Sequence, residues 1–328
     1  MPDFRKGQSM NIKKKKQELE PLMTKKKSLR TNLLWLLIMA PGIIYIFINN
    51  ILPLYGITIA FRDISFTKGP LNSPFWGFES TEHGFFYNFE MLFASDVIGR
   101  LIRNTVLYNL VFIILDIIIP VIVAILFYTI ESQRSKKFFQ TAILLPNIIS
   151  WVIIGYISYS LFSSESGMLS KLFGITDFYT NPSYWPFILT FFHVWKGVGM
   201  GMVVYHATLV GIDPALYEAA KIDGANWLQR TFNITIPHLK RIIITMFIMN
   251  LAKIMTSDFS LFYQVSMNST PLYEATETLD MYVFINLTGG VNIETTAAVS
   301  FFQSIIGFIL VITANAIIKK VDKESALF

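Results

Sequence analysis

Long apolar runs, separated by shorter polar segments, are the feature that most restricts how this sequence can fold. A helix needs about 20 mostly apolar residues to cross the hydrocarbon core of a bilayer. In that core the backbone must be helical or part of a closed barrel, and these runs are too long and alternate too poorly for barrel strands. We therefore predict an all-α integral membrane protein with six transmembrane helices. The predicted spans are Leu33–Phe61, Leu101–Ile130, Phe138–Phe162, Trp185–Val210, Ile242–Phe262 and Ala297–Ile318.

The composition agrees with a membrane protein and excludes several kinds of site. Of the 328 residues, 53% are hydrophobic and only 15% are charged, whereas soluble domains carry about a quarter charged residues. The first apolar run is far longer than the about 7–15 residues of a signal-peptide core, so we expect it to be a retained span. The absence of cysteine excludes disulfides, thiolate metal sites and cysteine nucleophiles.

The distribution of basic residues predicts which side of the membrane each loop occupies. With both termini inside, the cytoplasmic segments 1–32, 131–137, 212–241 and 319–328 hold 20 Lys and Arg residues, against 5 in the outside segments. Cytoplasmic loops of membrane proteins carry such an excess, so we predict an N-in, C-in topology. The chain then consists of a basic cytoplasmic tail at 1–32, a six-helix domain at 33–318 and a cytoplasmic C-terminal tail at 319–328.

The basic tail could belong either to a protein that binds nucleic acid or to a membrane protein. Ten basic residues lie in the first 32, including the runs Lys13–Lys16 and Lys25–Lys27. A short basic run beside an apolar span is more typical of a topology signal than of a nucleic-acid arm. We expect a lipid bilayer around the spans and no nucleic-acid partner.

A polar insert, residues 212–240, separates the fourth and fifth spans on the predicted cytoplasmic side. It begins with Asp213–Pro214, a favourable helix start because Asp caps backbone N–H groups and Pro suits the first helical position. Gly224 permits a tight turn, and a second short helix can run from Asn226 until Pro237 interrupts it. The insert is thus predicted to be a helix–turn–helix exposed to the cytoplasm.

The chemistry of the insert favours a protein partner. Trp227 and Phe232 are large enough to act as anchors in an interface, and an exposed helix of this kind can dock in a groove of another protein. The alternative is an amphipathic helix lying on the membrane surface. Glu218 and Asp223 are unfavourable next to anionic lipid, which counts against that alternative.

The spacing of residues in the insert resembles the EAA loop of ABC-importer permeases. The pattern is Glu-Ala-Ala, three residues, Gly, nine residues, then Ile-x-Leu-Pro; here it is Glu218-Ala219-Ala220, Gly224 and Ile234–Pro237. The one departure is Ile236 in place of Leu. By this resemblance the residues that couple the permease to an ATPase are Glu218, Ala219, Ala220, Asp223, Gly224, Ala225 and Pro237.

From Leu33 onward the chain also resembles the LplB-like subgroup, permeases for complex oligosaccharides. Asn147 departs from the subgroup, in which many members have His, and the Lys-rich tail is longer than is typical. The matching segments are Pro53–Asp63, Arg103–Leu110, Gln140–Ile153, Val194–Gly201, Gly211–Ala225 and Thr296–Asn315.

The resemblance implies a type I ABC importer in a bacterial cytoplasmic membrane. In such an importer two homologous permease subunits enclose a central pathway, and an extracytoplasmic solute-binding protein delivers an oligosaccharide. A cytoplasmic ABC ATPase dimer binds ATP and Mg²⁺ and docks on the EAA loops. Closure of that dimer switches the pathway from inward-open to outward-open.

The chain shows no signs of chemistry of its own. It has no GxxxxGK[ST] phosphate loop and no HExxH pair, and we expect neither enzymatic activity, nor a cofactor, nor a metal site. The glycines of Gly197–Gly201 lie within an apolar span and indicate close helix packing.

Polar residues within the spans are candidates for function or for packing. Ionisable groups at membrane depth are functional hypotheses, here Asp116, Lys196, Lys253 and Asp258, together with Asn250. Asp116 could pair with a cation or remain protonated. For the sugar pathway, with helix packing or lipid contact as the alternative for each, the candidates are Asn147, Ser150, Trp151, Trp195, Tyr205 and Tyr263.

Two other classes of function predict different features. An ion-coupled secondary transporter predicts inverted repeats and charges at the midplane, and no repeat is evident. A membrane-embedded hydrolase predicts convergent catalytic residues at the membrane surface. Co-purification discriminates among the three, because only the importer requires an ATPase and a second permease to stay bound.

Overall fold

The computed structural model describes residues 29–65, 67–78 and 83–321. Within these residues the chain forms helices joined by turns and loops, with an isolated antiparallel bridge between Arg62 and Phe75. The predicted basic tail, apart from its last four residues, and the predicted C-terminal tail from residue 322 lie outside the described residues. The chain divides into two compact units, Met1–Ile57 and Thr58–Phe328.

The first unit contains the start of the first predicted span. Helix α1 covers Leu29–Ile46, so it begins four residues before the predicted boundary and accommodates Pro41 in its interior. A wide π-type turn, Phe47–Ile51, follows it, and a 3-10 segment begins at Leu52 and runs to Phe61. The large apolar side chains of α1 from Trp35 onward are exposed, as a lipid- or protein-facing span requires.

The second unit contains the remaining helices. Those before the polar insert are α2 (Tyr87–Ala94), α3 (Asp96–Tyr128), α4 (Gln133–Ile148), α5 (Trp151–Phe162), α6 (Met168–Phe173) and α7 (Trp185–Val210). The insert and the C-terminal part contain α8 (Pro214–Ile222), α9 (Trp227–Arg230), α10 (Ile236–Leu251), α11 (Phe259–Val265), α12 (Tyr273–Thr276), α13 (Leu279–Gly289) and α14 (Ile293–Val321).

The prediction of apolar spans is confirmed by length and composition. Among the described residues, five helical stretches are long and apolar enough to cross a bilayer, and a sixth candidate consists of α4 and α5 together. The third predicted span, Phe138–Phe162, is divided between α4 and α5, which meet at an angle of 93°. The bend follows Pro146 and is favoured by Ser150, which caps the start of α5 by accepting from the Ile153 N–H at 3.4 Å.

The fifth predicted span, Ile242–Phe262, is also interrupted. Helix α10 ends at Leu251, and irregular chain continues to Asp258 before α11 begins. Side chains from other helices stabilise this break by binding its carbonyl groups. Asn109 Nδ2 donates to the Ile254 and Thr256 carbonyls at 2.9 and 3.0 Å, and Gln303 Nε2 donates to the Met255 carbonyl at 2.7 Å.

Glycines on α7 allow its backbone to approach two neighbouring helices closely, as the sequence predicted. A Cβ added at Gly199 would lie 2.4 Å from the Ile143 carbonyl oxygen of α4, and one added at Gly201 would lie 2.7 Å from Pro120 Cγ of α3. Helix packing of this kind uses small residues because apolar lipid supplies no hydrophobic drive for association. Helix α7 therefore forms the centre of the bundle.

Polar contacts join the N-terminal part of α3 to the chain that precedes α13. Arg100 pairs with Glu277, whose side chain is 8% exposed, and Arg103 pairs with the exposed Glu274 at 2.9 Å. Burial raises the pKa of the Glu277 carboxyl, and the hydrogen bond and charge of Arg100 act in the opposite direction. Burial also raises the pKa of Asp280, against the lowering effect of hydrogen bonds from Ser257.

The chain between α6 and α7 is rich in aromatic side chains. Phe178 and Trp185 are buried in the core of the second unit rather than placed at the lipid surface. The indole N–H of Trp185 donates to the Phe178 carbonyl at 2.6 Å, so the polar end of the side chain is satisfied inside the protein.

Candidate functional site

The polar insert forms the predicted helix–turn–helix. Asp213 caps α8 by accepting from the Ala215 N–H at 2.9 Å, and Pro214 occupies the first helical position. The helix ends at Ile222, and Gly224 follows with a φ of 81°. Because L-residues with a side chain are strained at such a φ, glycine suits this turn. No atom lies within 4 Å of a Cβ built at Gly224, so the backbone alone imposes the requirement.

The second helix of the insert begins where predicted but does not end where predicted. Asn226 and Gln229 cap it reciprocally, each side chain accepting the other residue's backbone N–H at 2.8 Å. The interruption expected at Pro237 is absent, since a wide π-type turn, Thr231–Thr235, joins α9 to α10. Pro237 then lies in the first turn of α10, where a missing N–H costs nothing.

The insert presents both charged and large apolar side chains to solvent. Glu218, Ala219, Asp223, Gly224 and Pro237 are exposed, and Ala220 and Ala225 are half-buried. Ile222 is 87% exposed. Exposed apolar side chains that cluster in this way mark interaction surfaces. The large apolar residues exposed on the insert are Leu216, Ile222, Trp227, Leu228 and Phe232.

The insert is tied to the bundle at its base. The Tyr217 hydroxyl lies 3.0 Å from Thr235 Oγ1, and the Tyr217 ring lies 6.1 Å from that of Tyr128 at the end of α3. Beside these contacts is a groove of about 540 Å³ whose lining includes Lys136 and Arg230. Tyr217 of α8 thus packs against a hydrophobic cluster to which α3 and α10 contribute.

A second polar region surrounds the bend between α4 and α5. Lys196 lies near the middle of α7 and directs its ammonium at the last carbonyls of α4. It donates to the carbonyls of Asn147 at 2.9 Å, of Pro146 at 3.4 Å and of Ile149. A cation at a helix C-terminus satisfies carbonyls that lack intrahelical partners and offsets the helix dipole.

Trp151 connects this bend to the break before α11. Its indole N–H donates to Asp258 Oδ2 at 2.8 Å, and the Lys196 ammonium lies 5.2 Å from its ring centroid. The other carboxylate oxygen of Asp258 accepts from the Ser260 and Leu261 N–H groups at 3.1 and 3.3 Å and caps α11. Two interrupted spans are therefore linked side chain to side chain.

The predicted pathway residues do not all lie in this region. Asn147 and Ser150 are exposed beside the bend, and Trp151 is half-buried there. Tyr263, on α11, packs against Phe259 at a centroid distance of 5.0 Å.

The other two candidates lie elsewhere. Trp195 lines an apolar groove between α3 and α7 that it shares with Val111 and Phe187. Tyr205 is 1% exposed and lies in the core among α3, α7 and α10. Its aromatic bulk fills a helix interface, so it offers no surface to a solute in this conformation.

Sequence reasoning noted Lys196 and Asp258 as charges within spans but did not connect them with Trp151. The signal that could have found them was the position of these two charges within otherwise apolar spans. As for metals, no group of three or more His, Asp or Glu side chains within the described ranges is placed to hold an ion.

Comparison with known proteins identifies relatives over almost the full length. No protein-family model matches the chain. It is 30% identical to the protein LplB of Bacillus subtilis (strain 168) over 297 residues, 88% of this chain and 90% of that protein. It is also 30% identical to the polygalacturonan/rhamnogalacturonan transport system permease protein YteP of the same organism over 303 residues, 91% of each.

The fold is likewise that of a solved transporter subunit. A chain in the crystal structure of a bacterial alginate ABC transporter, in complex with an alginate pentasaccharide-bound periplasmic protein, superposes with a TM-score of 0.77. The match covers 90% of this chain and 98% of that chain at 24% sequence identity. Given relatives of this similarity and coverage, this multi-pass membrane protein belongs to the family of carbohydrate permease subunits of ABC transporters.

Proposed function

We propose that this chain forms half of the pathway through which a bacterial ABC importer takes up an oligosaccharide. A second, homologous permease supplies the other half, and a solute-binding protein outside the cytoplasmic membrane delivers the sugar. A cytoplasmic ABC ATPase dimer binds ATP and Mg²⁺ and drives the cycle, and this chain has no ATPase site of its own. Both termini and the insert lie in the cytoplasm.

The observation that carries the proposal is the exposed surface of the insert. A helix that leaves Ile222 almost fully exposed while Tyr217 packs against the end of α3 is suited to a protein partner. The charges of Glu218 and Asp223 disfavour burial of the same surface in anionic lipid. We propose that this surface couples to the ATPase through Glu218, Ala219, Ala220, Asp223, Gly224, Ala225 and Pro237.

The proposed substrate class rests on two arguments. The relative YteP is named for a polygalacturonan/rhamnogalacturonan transport system, and the structural neighbour was solved with a pentasaccharide-bound periplasmic protein. The bend between α4 and α5 offers aromatic and amide groups of the kind that bind sugars. We propose that Asn147, Ser150, Trp151 and Tyr263 contact the solute.

The proposal is tested by purifying the transporter from cells that express all of its subunits. We expect Ile222→Asp to lose the ATPase but retain the second permease. Leu172→Asp is the matched control, since Leu172 is similarly exposed but lies on α6, in a loop predicted to be outside. Retention of the ATPase by Ile222→Asp, or uptake in the absence of any ATPase, would contradict the proposal.

A further inference from the structure

The surface of the bundle is apolar along α3 and mixed at the bend between α4 and α5. Along the middle of α3 the exposed side chains include Leu107, Ile114, Ile118 and Ile122, and Phe187 is exposed on α7. These groups suit contact with lipid tails. Around the bend the exposed side chains are polar at Asn147, Ser150 and Asp258 and apolar at Leu145, Ile148 and Val152.

A charge at this depth is costly against lipid and is tolerated where it faces water or a protein cavity. Lys196 lies near the middle of α7 and therefore near the middle of its span. The polar groups at the bend are connected to this lysine. An aqueous pathway beside Asp258 would meet this condition, and lipid tails would suit the apolar α3 surface that carries Ile118.

The two charges of this region differ in their capacity to bind a solute. A lysine ammonium has three hydrogen-bond donors. Lys196 directs its ammonium at three backbone carbonyls, those of Pro146, Asn147 and Ile149. Its role is to hold the end of α4, and it has no donor left over for a carboxylate in the pathway.

Asp258 retains the capacity to accept a further hydrogen bond. An ionised carboxylate offers about four lone-pair positions. Oδ1 receives the N–H groups of Ser260 and Leu261, and Oδ2 receives the indole N–H of Trp151. One position on Oδ2 is left, and the side chain is exposed. A hydroxyl group beside Trp151 could donate to it.

We propose that Asp258 is a specificity-determining residue of the pathway, which accepts a sugar hydroxyl beside the Trp151 ring. This inference rests on the proposed function, since it requires that the bend lines the sugar pathway. The aromatic group formed by Phe259, Tyr263 and Phe284 on α11 and α13 extends the apolar surface on which sugar rings can slide.

The chain contains no cysteine, so a single introduced thiol reports on one position. We choose Ser150→Cys, a nearly isosteric change in a residue adjacent to Trp151. The assembled transporter in proteoliposomes is treated with a cationic and with an anionic methanethiosulfonate, and the two reaction rates are compared. Ile118→Cys, on the apolar side of α3, is the matched control.

We expect Ser150→Cys to react with both reagents and Ile118→Cys with neither. At Ser150→Cys the cationic reagent should react about fivefold faster than the anionic one, as expected for one nearby negative charge in a hydrated site. Adding Asp258→Asn should remove that preference. Asparagine keeps the cap of α11, so loss of the preference reports the charge and not a collapse of the helix.

Three results would overturn the inference. A faster reaction of the anionic reagent would mean that Lys196 supplies the accessible charge. A preference that survives Asp258→Asn would assign the charge to another group. If Ser150→Cys is unreactive, protein or lipid covers the bend. None of these three results bears on the docking of the ATPase on the insert, which Ile222→Asp tests separately.

Discussion

Asp116 of α3 and His193 of α7 face each other within the bundle, with both carboxylate oxygens close to one imidazole nitrogen. Oδ1 and Oδ2 lie 3.1 and 3.2 Å from Nε2. The ring of Phe112 stacks on the imidazole at a centroid distance of 3.7 Å. The sequence left open whether Asp116 would pair with a cation or remain protonated, and the structure provides histidine as its partner across the interface between α3 and α7.

The strength of this pair can be measured by a double-mutant cycle. We expect Asp116→Ala and His193→Ala to destabilise the protein less in combination than the sum of the single effects. Polar pairs between membrane helices have coupling energies of about 0.6 kcal/mol on average, with a maximum of about 1.7 kcal/mol. Unfolding in mixed micelles provides the four free energies. Additive effects would mean that the contact contributes nothing to stability.

The close approach of α7 and α4 predicts the consequence of adding one methyl group. Gly199→Ala places a Cβ 2.4 Å from a backbone carbonyl that cannot rotate away. We expect a loss of about 1–3 kcal/mol in the free energy of unfolding. Gly99→Ala is the control, because no atom lies within 4 Å of a Cβ at that helical position, and it should be neutral or slightly stabilising. Equal effects would argue against packing as the cause.

The turn in the insert predicts a functional defect without misfolding. Gly224→Asp has open space around it but a φ of 81°, and it places a bulky charge at the proposed docking surface. We expect ATP hydrolysis to continue while uptake into proteoliposomes falls at least tenfold. Gly69→Asp has a similar φ of 78° and the same open surroundings, and it should transport normally. Normal transport by Gly224→Asp would refute the coupling role.

The buried carboxyl group of Asp280 predicts how the stability of the protein depends on pH. The pKa of Asp280 is raised above its ordinary value of 3.8 because the side chain is buried. The folded state therefore binds a proton more tightly than the unfolded state. This contribution to stability is complete below pH 3.8 and is lost as the pH rises through the raised pKa.

We expect Asp280→Asn to weaken the loss of stability as the pH rises above 3.8 and through the raised pKa, because asparagine does not titrate. Denaturation midpoints measured across this interval provide the comparison. An unchanged slope in the variant would show that Asp280 binds its proton equally well in both states.

Two neighbouring ion pairs should differ in their effect on stability. Glu277 is 8% exposed and pairs with Arg100, whereas Glu274 is 61% exposed and pairs with Arg103. Glu277→Ala leaves Arg100 without this partner in a partly buried position, and we expect a loss of about 1.5–3 kcal/mol. Glu274→Ala should cost less than about 1 kcal/mol, because water replaces an exposed partner. Similar losses for the two variants would show that burial does not determine how much each ion pair contributes to stability.

Much of the architecture was predictable because its signals are local. A span is recognised from about 20 consecutive side chains, and the caps at Asp213 and Asn226 depend on N–H groups two and three residues away. The glycine turn at Gly224 is likewise a property of one residue's backbone. These features follow from neighbours in the chain, and the structure has them where the sequence places them.

Pro146 marks the bend after α4 in the sequence, but the partners that stabilise the two helix interruptions were not predictable, because they are distant in the chain. Lys196 binds carbonyls about 50 positions earlier, and Asn109 binds carbonyls about 145 positions later. Pro237 illustrates the opposite error, because the interruption predicted there is absent. A wide turn upstream removed the need for the backbone N–H that proline lacks.

The amino-acid order thus establishes that the chain is helical, enters the bilayer and carries a capped polar insert, because each of these depends on groups within a few residues of one another. Which polar groups meet is set by packing. Asp116 with His193, Trp151 with Asp258 and the burial of Tyr205 depend on how separate helices pack. A hydrogen bond needs its two atoms within about 3 Å, and only the folded chain brings such distant residues that close.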